Sequence, residues 1–212
     1  MVATLALKDK ALVLNRKLRR VLARFGRQES GIAAVEFALI LPIMMTMYFG
    51  LVEFSQALGH DRKSVVVTRS LVDMVTQSVI VDNADMTSIF AAATAVMAPY
   101  PQDRIAMRVT SYRIDGAGNA FVDWSDVRNI NAPVAYVAKP HCEAANPSVP
   151  SQIRAVRTSL VQAEVLLNHR PTIGYTLVGN IEMKESQFMK PRIAATVARA
   201  GANTAPCPGF VP

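Results

Sequence analysis

Ser30-Gly31-Ile32-Ala33-Ala34-Val35-Glu36-Phe37 joins a basic arm to an apolar run that extends from Ile32 to Val52. That run is 21 residues long and carries one charge, Glu36. A helix rises about 1.5 Å per residue, so a run of this length spans a bilayer core of roughly 30 Å. A carboxylate near the centre of such a span costs on the order of 2.5–3.5 kcal/mol. Glu36 lies five residues in and costs less, but a lone charge just inside an apolar helix asks for a role.

Working outward, the arm before Gly31 holds Lys8, Lys10, Arg16, Lys17, Arg19, Arg20, Arg24 and Arg27 against Asp9 and Glu29. Its net charge is +6, and the whole chain carries +7. The basic balance therefore belongs to the arm. The rest is nearly neutral, which argues against a nucleic-acid partner. Positive charge beside a first span holds that end in the cytoplasm. Leu14, Leu18, Val21, Leu22 and Phe25 recur at helical spacing, which fits either an amphipathic helix on the inner leaflet or a solvated basic leader. A secretory signal peptide fits poorly, because its apolar region is shorter, about 7–15 residues. Ser55-Gln56-Ala57 is at best a weak cleavage site for one.

Gly31-Ile-Ala-Ala-Val-Glu-Phe-Ala-Leu-Ile-Leu-Pro42 resembles the opening of TadE-like proteins, minor pseudopilins and assembly proteins of tight-adherence (Flp-type) pili. The order of basic arm, glycine and downstream Glu-Phe is similar to the processing site of type IV prepilins. The resemblance is strong over Ser30–Phe54 and weaker in the later runs that end at Arg170-Pro171 and Lys190-Pro191-Arg192. It implies cleavage between Gly31 and Ile32 by a prepilin peptidase, with Glu36 and Phe37 guiding subunit pairing. Glycine suits a protease site because no Cβ obstructs the backbone. The implied pairing sets the Glu36 carboxylate against the new amine of a neighbouring subunit, relieving two buried charges together. The other reading of Glu36 is a carboxylate that snorkels to the headgroups or pairs with Arg27. Implied partners are the peptidase, other pseudopilins, the pilus secretion platform and the inner membrane.

The expected fold class is α+β, a long N-terminal helix whose first half spans the membrane and whose second half packs on a small antiparallel sheet, as in pilins. The expected division is a basic cytoplasmic leader (1–31), a membrane span (32–52) and a periplasmic domain (53–212). About 160 residues beyond the span suffice for one core. Leu51, Phe54, Leu58, Val65, Val72, Val75 and Val79 predict a helical seam continuing to about Ile80, interrupted by Asp61 and Thr68. Pro42 invites a kink. Met44, Met45 and Met47 read as lipid-facing or packing residues. Asn83 or Asp85 is expected to cap a second helix whose apolar face runs from Met86 to Met97, ended by Pro99 and Pro101. Ile105–Ile114 alternates as a strand, Asp115–Asn119 is a turn, and Phe121–Trp124 pairs back. Asn129–Pro150 reads as an exposed loop for partner-specific contacts. Ser159–Asn168, Gly174–Met183 and Phe188–Val197 read as further strands, followed by an extended tail.

No enzyme motif, nucleotide loop or spaced metal-ligand set is present. His60, His141 and His169 stand far apart. His141-Cys142 lies in a loop without a matching cluster, and Asp115, Asp123 and Asp126 fit turn and solvated roles better than calcium binding. No catalytic residue, metal or cofactor is expected. The two cysteines, Cys142 and Cys207, both fall on the outer side, where an oxidising compartment favours a bridge. Closing 64 intervening residues is worth about 4 kcal/mol in the chain-entropy model. The expected function is a minor pseudopilin of pilus assembly. The alternatives are an uncleaved membrane-anchored assembly or adhesion protein of the same system, and a signal-anchored periplasmic binding domain or enzyme.

Overall fold

The computed structural model describes residues 30–146, 148–171, 179–203, 205 and 207–208. The basic arm, the proposed surface helix within it and Gly174–Val178 of an expected strand lie outside the described residues. The chain divides into two compact units, Met1–Val52 and Glu53–Pro212. The fold class is α+β.

Helix α1 runs Ser30–Thr76 and continues through Pro42. Thr46 Oγ1 donates to the Pro42 carbonyl at 2.8 Å, using a backbone acceptor inside the helix. In the first unit, the side chains of α1 are exposed on every face. Ile32, Phe37, Leu39 and Met47 are 63, 59, 70 and 72% exposed. A helix apolar all round is suited to lipid or a protein core rather than water. This one is long and apolar enough to cross a membrane.

In the second unit, α1 follows a different rule. Val67, Leu71, Val72 and Val75 are fully buried, with Ser64, Thr68 and Thr76 beside them. The seam is therefore 60-64-67-68-71-72-75-76, which shares Val72 and Val75 with the expected one. Leu51, Phe54, Leu58, Val65 and Val79 are exposed. By apolarity alone Thr68 would break the stripe. Thr68 Oγ1 donates to the Ser64 carbonyl at 2.7 Å, and Ser64 Oγ to the Asp61 carbonyl at 2.7 Å. A hydroxyl satisfied by its own helix can be buried without an orphaned polar group.

The helix stops at Thr76 rather than near Ile80, because Ile80–Val81 forms strand β1. Helix α2 (Asn83–Ala95) follows, and its cap is Asp82, not Asn83 or Asp85. Asp85 N–H donates to Asp82 Oδ1 at 2.8 Å and Asp82 N–H to Asp85 Oδ2 at 3.0 Å, a reciprocal capping box. Lys63 Nζ donates to the Val96 carbonyl at the other end, 3.1 Å away.

Strands β2 (Ile105–Ile114), β3 (Ala120–Ile130), β4 (Ser159–His169) and β5 (Ile181–Met189) form an antiparallel sheet in the order β3-β2-β4-β5. A second, parallel pair joins β1 to β6 (Ala198–Arg199). The expected Phe188–Val197 strand is absent among the described residues. Phe188 and Met189 end β5, and β3 runs to Ile130, beyond the expected Trp124. Ile105, Met107 and Val109 stand opposite Leu167, Val165 and Ala163 and share one face with the helices. Tyr112 and Ile114 lie on the opposite face by alternation, and a register shift at Ser111/Tyr112, where β3 carries the extra residue Asp123, puts Val122 and Ala120 with them in a second cluster with Ala145 and Val149. Asn129–Pro150 is thus more than an exposed loop. Its described residues include Ala145 and Val149, 3 and 1% exposed. Tyr136 Oη-bearing ring lies under the Arg108 guanidinium, 4.6 Å from its centre. Arg108 itself pairs with Glu164 at 2.6 Å.

Gly59 of α1 lies against the Tyr100 side chain in the turn after α2. A Cβ built there would overlap the Tyr100 hydroxyl and lie 2.9 Å from its Cζ. Replacing glycine by alanine inside a helix ordinarily gains about 1 kcal/mol. Here Gly59→Ala is expected to lower the thermal midpoint by a few degrees, and to raise it in a Tyr100→Ala background. Stabilisation by Gly59→Ala alone, in thermal melts of the detergent-solubilised chain, would contradict the packing.

Candidate functional site

Gly31 sits in the first turn of α1, and a Cβ built on it meets nothing within 4 Å. Its backbone is unobstructed. Glu36 is four residues past Ile32, one helical turn on, and helical side chains lean toward the N-terminus. The Cα–Cβ bond of Glu36 therefore tilts toward the Ile32 end. Glu36 and Phe37 are both exposed. Among the described residues, Glu36 has no hydrogen-bond or ion-pair partner. Arg27, its suggested local partner, lies outside them.

Residues 31–62 match the family model of TadE-like proteins. The matched TadE-like segment covers Gly31, Ile32, Glu36 and Phe37 together, and continues past Val52 to Arg62. No curated protein and no solved structure matches the chain.

The distal end of the TadE-like segment carries a cluster that the sequence did not reveal. His60 and His169, 109 positions apart in the chain, have ring centres 4.4 Å apart. The Tyr100 ring centre lies 4.3 Å from that of His60. His60, Asn168 and His169 are 7, 5 and 6% exposed. His60 Nδ1, Asn168 Oδ1 and His169 Nε2 are buried without a partner among the described residues. A cleft of about 530 Å³ opens beside them, lined also by Gln56, Arg104 and Arg170. Burial holds the His60 imidazole below its ordinary pKa, and His169 adds to the effect. Burial does the same to His169, opposed by the Glu53 carboxylate. The signal available in the sequence was one polar ring on each of two elements, and only β4 packing on α1 brings them together.

Cys142 and Cys207 form a disulfide, with Cα atoms 5.1 Å apart. His141 lies beside it, with Nε2 4.0 Å from Cys207 Sγ. The carboxylates near the hairpin hold structural places. Asp115 is buried, and its Oδ1 accepts from Ala117 N–H at 2.9 Å and Asn119 N–H at 2.7 Å, which closes the turn. Asp123 pairs with Arg113 and Asp126 with Arg199.

The histidine pair makes stability depend on pH. Both rings have folded pKa values below the ordinary 6.5, so the unfolded chain binds more protons below that point. Their contribution is fully present above about pH 7 and is lost as pH falls through 6.5 toward the lowered folded values. The thermal midpoint is expected to drop between about pH 7.5 and 5, and to drop less in a His60→Gln/His169→Gln variant. Identical pH profiles for the two proteins would count against this coupling.

Proposed function

We propose that this protein is a minor pseudopilin that takes part in assembling a tight-adherence pilus at the inner membrane. The observation that carries the reading is the TadE-like segment, in which glycine, Glu36 and Phe37 stand at the start of an all-round apolar helix. The leader, net +6, keeps the N-terminus cytoplasmic and places the second unit in the periplasm. A prepilin peptidase cuts after Gly31, and Ile32 becomes the mature N-terminus. Glu36 then lies one turn into the helix, where a carboxylate is favoured by the positive end of the helix dipole. In lipid it needs a cation, and the new amine of a neighbouring subunit supplies one. The role is structural rather than catalytic, and the chain is itself a substrate of the peptidase. Other pseudopilins and the secretion platform are its partners. No nucleic acid and no cofactor take part.

A second reading, the uncleaved anchored assembly or adhesion protein, has one observation in its favour. Gly31 lies within α1, not in extended chain. Terminal helical turns fray, so this does not bar a protease.

Intact-mass measurement on the protein from membranes containing the cognate peptidase separates the two. A chain starting at Ile32 is expected, and recovery of the full-length form alone would favour the uncleaved reading. Glu36→Gln is expected to leave insertion and processing intact, since the charge cost falls. Surface piliation should drop several-fold at normal protein level, because a neutral amide leaves the buried ammonium poorly paired. Unchanged piliation would remove the pairing role.

A further inference from the structure

The loop after β3 and the C-terminal tail meet at a second group of side chains. Cys142, Cys207 and His141 bring two sulfurs and an imidazole nitrogen within 4.8 Å of one another. All three residues are half-buried. The His141 ring is fixed by Nδ1, which lies 2.7 Å from the Asp123 carbonyl. Imidazole ligands of metals are commonly oriented this way, one nitrogen donating to a carbonyl while the other faces the ion. Cys142 is set by the edge of the sheet. Its N–H donates to the Val122 carbonyl at 2.8 Å, and Val122 N–H returns to the Glu143 carbonyl at 3.0 Å. Cys142 is therefore held by backbone pairing, and the His141 ring by its contact with the Asp123 carbonyl, neither of which is the sulfur–sulfur bond. A cleft of about 350 Å³, lined by Asp123, Lys139, His141 and Arg199, gives access to the ring.

We propose that the reduced chain binds one thiophilic divalent ion, Zn²⁺ by its chemistry, through Cys142 Sγ, Cys207 Sγ and His141 Nε2. Two thiolates and one imidazole, with a fourth place for water, make an open tetrahedral zinc set. Binding releases the two thiol protons. The imidazole gives up its 3.0 Å contact with the Ala205 carbonyl to take the ion. Disulfide closure then forms the Cys142–Cys207 bond and expels the ion. The two electrons pass to a disulfide-bearing oxidant, which takes two protons from solvent and leaves as two thiols. Metal and disulfide are thus exclusive states of the same residues, and the ion guards the thiols of a newly exported chain until the oxidant arrives.

The test uses the full, untagged chain in detergent, reduced under argon with a phosphine and titrated with Co²⁺ and then Zn²⁺. A thiolate-to-cobalt charge-transfer band that saturates at one ion per chain and is bleached by Zn²⁺ is expected, and the oxidised chain should give none. Zn²⁺ should also slow disulfide closure by oxidised glutathione. His141→Ala should weaken Zn²⁺ binding by about tenfold or more. The same variant should still close its disulfide on oxidation, which shows that the fold survives. Absence of the band in the reduced wild type would overturn the proposal. So would equal Zn²⁺ affinity in the wild type and in His141→Ala.

Discussion

The second unit depends on one contact, the burial of the Val67-Leu71-Val72-Val75 face of α1 against the odd-numbered residues of β2 and β4. Burying each such side chain fully contributes about 1.5–3 kcal/mol. The same cluster takes in Met86, Phe90 and Met97 from α2 and its following turn, so both helices share one apolar layer. Trp124 joins it from β3 and ties it to the chain before β6 by donating Nε1–H to the Val197 carbonyl at 2.7 Å. Several of the polar groups in this layer are satisfied by the backbone of their own helix. Thr76 Oγ1, for example, donates to the Asp73 carbonyl at 3.0 Å.

The opposite face of the sheet is held by a different chemistry. Arg108 and Glu164 face each other across β2 and β4, and Tyr112 Oη donates to Gln162 Oε1 at 2.7 Å. Burial raises the Tyr112 pKa well above its ordinary value, so the phenol stays neutral and serves as a donor. The segment after β3 lies across this face. Lys139 Nζ donates to Tyr112 Oη at 2.6 Å, and the Val137 carbonyl accepts from Arg108 at 3.1 Å. Removing one member of such a network leaves a charge uncompensated, which costs more than the pair contributes. The two edges are managed separately. Residues 142–145 pair with β3 along its outer rim, and β5 carries Glu182, Lys184 and Glu185 on the far edge. Charged edge residues discourage strand addition by another chain.

Helix α1 contains two solvation rules within one element. Before Val52 it presents apolar groups in all directions, and after Glu53 only one face is buried. The change of rule falls inside the TadE-like segment, residues 31–62, which carries Glu36 at one end and His60 at the other. Burial disfavours the charged form of His60.

The sequence alone determined what depends on local composition and order. The apolar run with its single carboxylate, the strand Ile105–Ile114, the Asp115–Asn119 turn and the α+β class rest on hydropathy, alternation and turn chemistry, which neighbouring residues fix. The tertiary structure decided what depends on partners distant in the chain. Thr68 is buried because its helix supplies an acceptor, and Leu58 is exposed because the sheet lies on another side. The Asn129–Pro150 segment covers a sheet face where Tyr112 and Ile114 are joined by Val122 and Ala120, which the bulge in β3 turns to that side. His60 meets His169, and His141 meets Cys207, only after β4 and the tail have come back to α1 and β3. Side-chain periodicity records which face of an element is apolar, but it does not record which element will cover that face, and that pairing decided the histidine clusters.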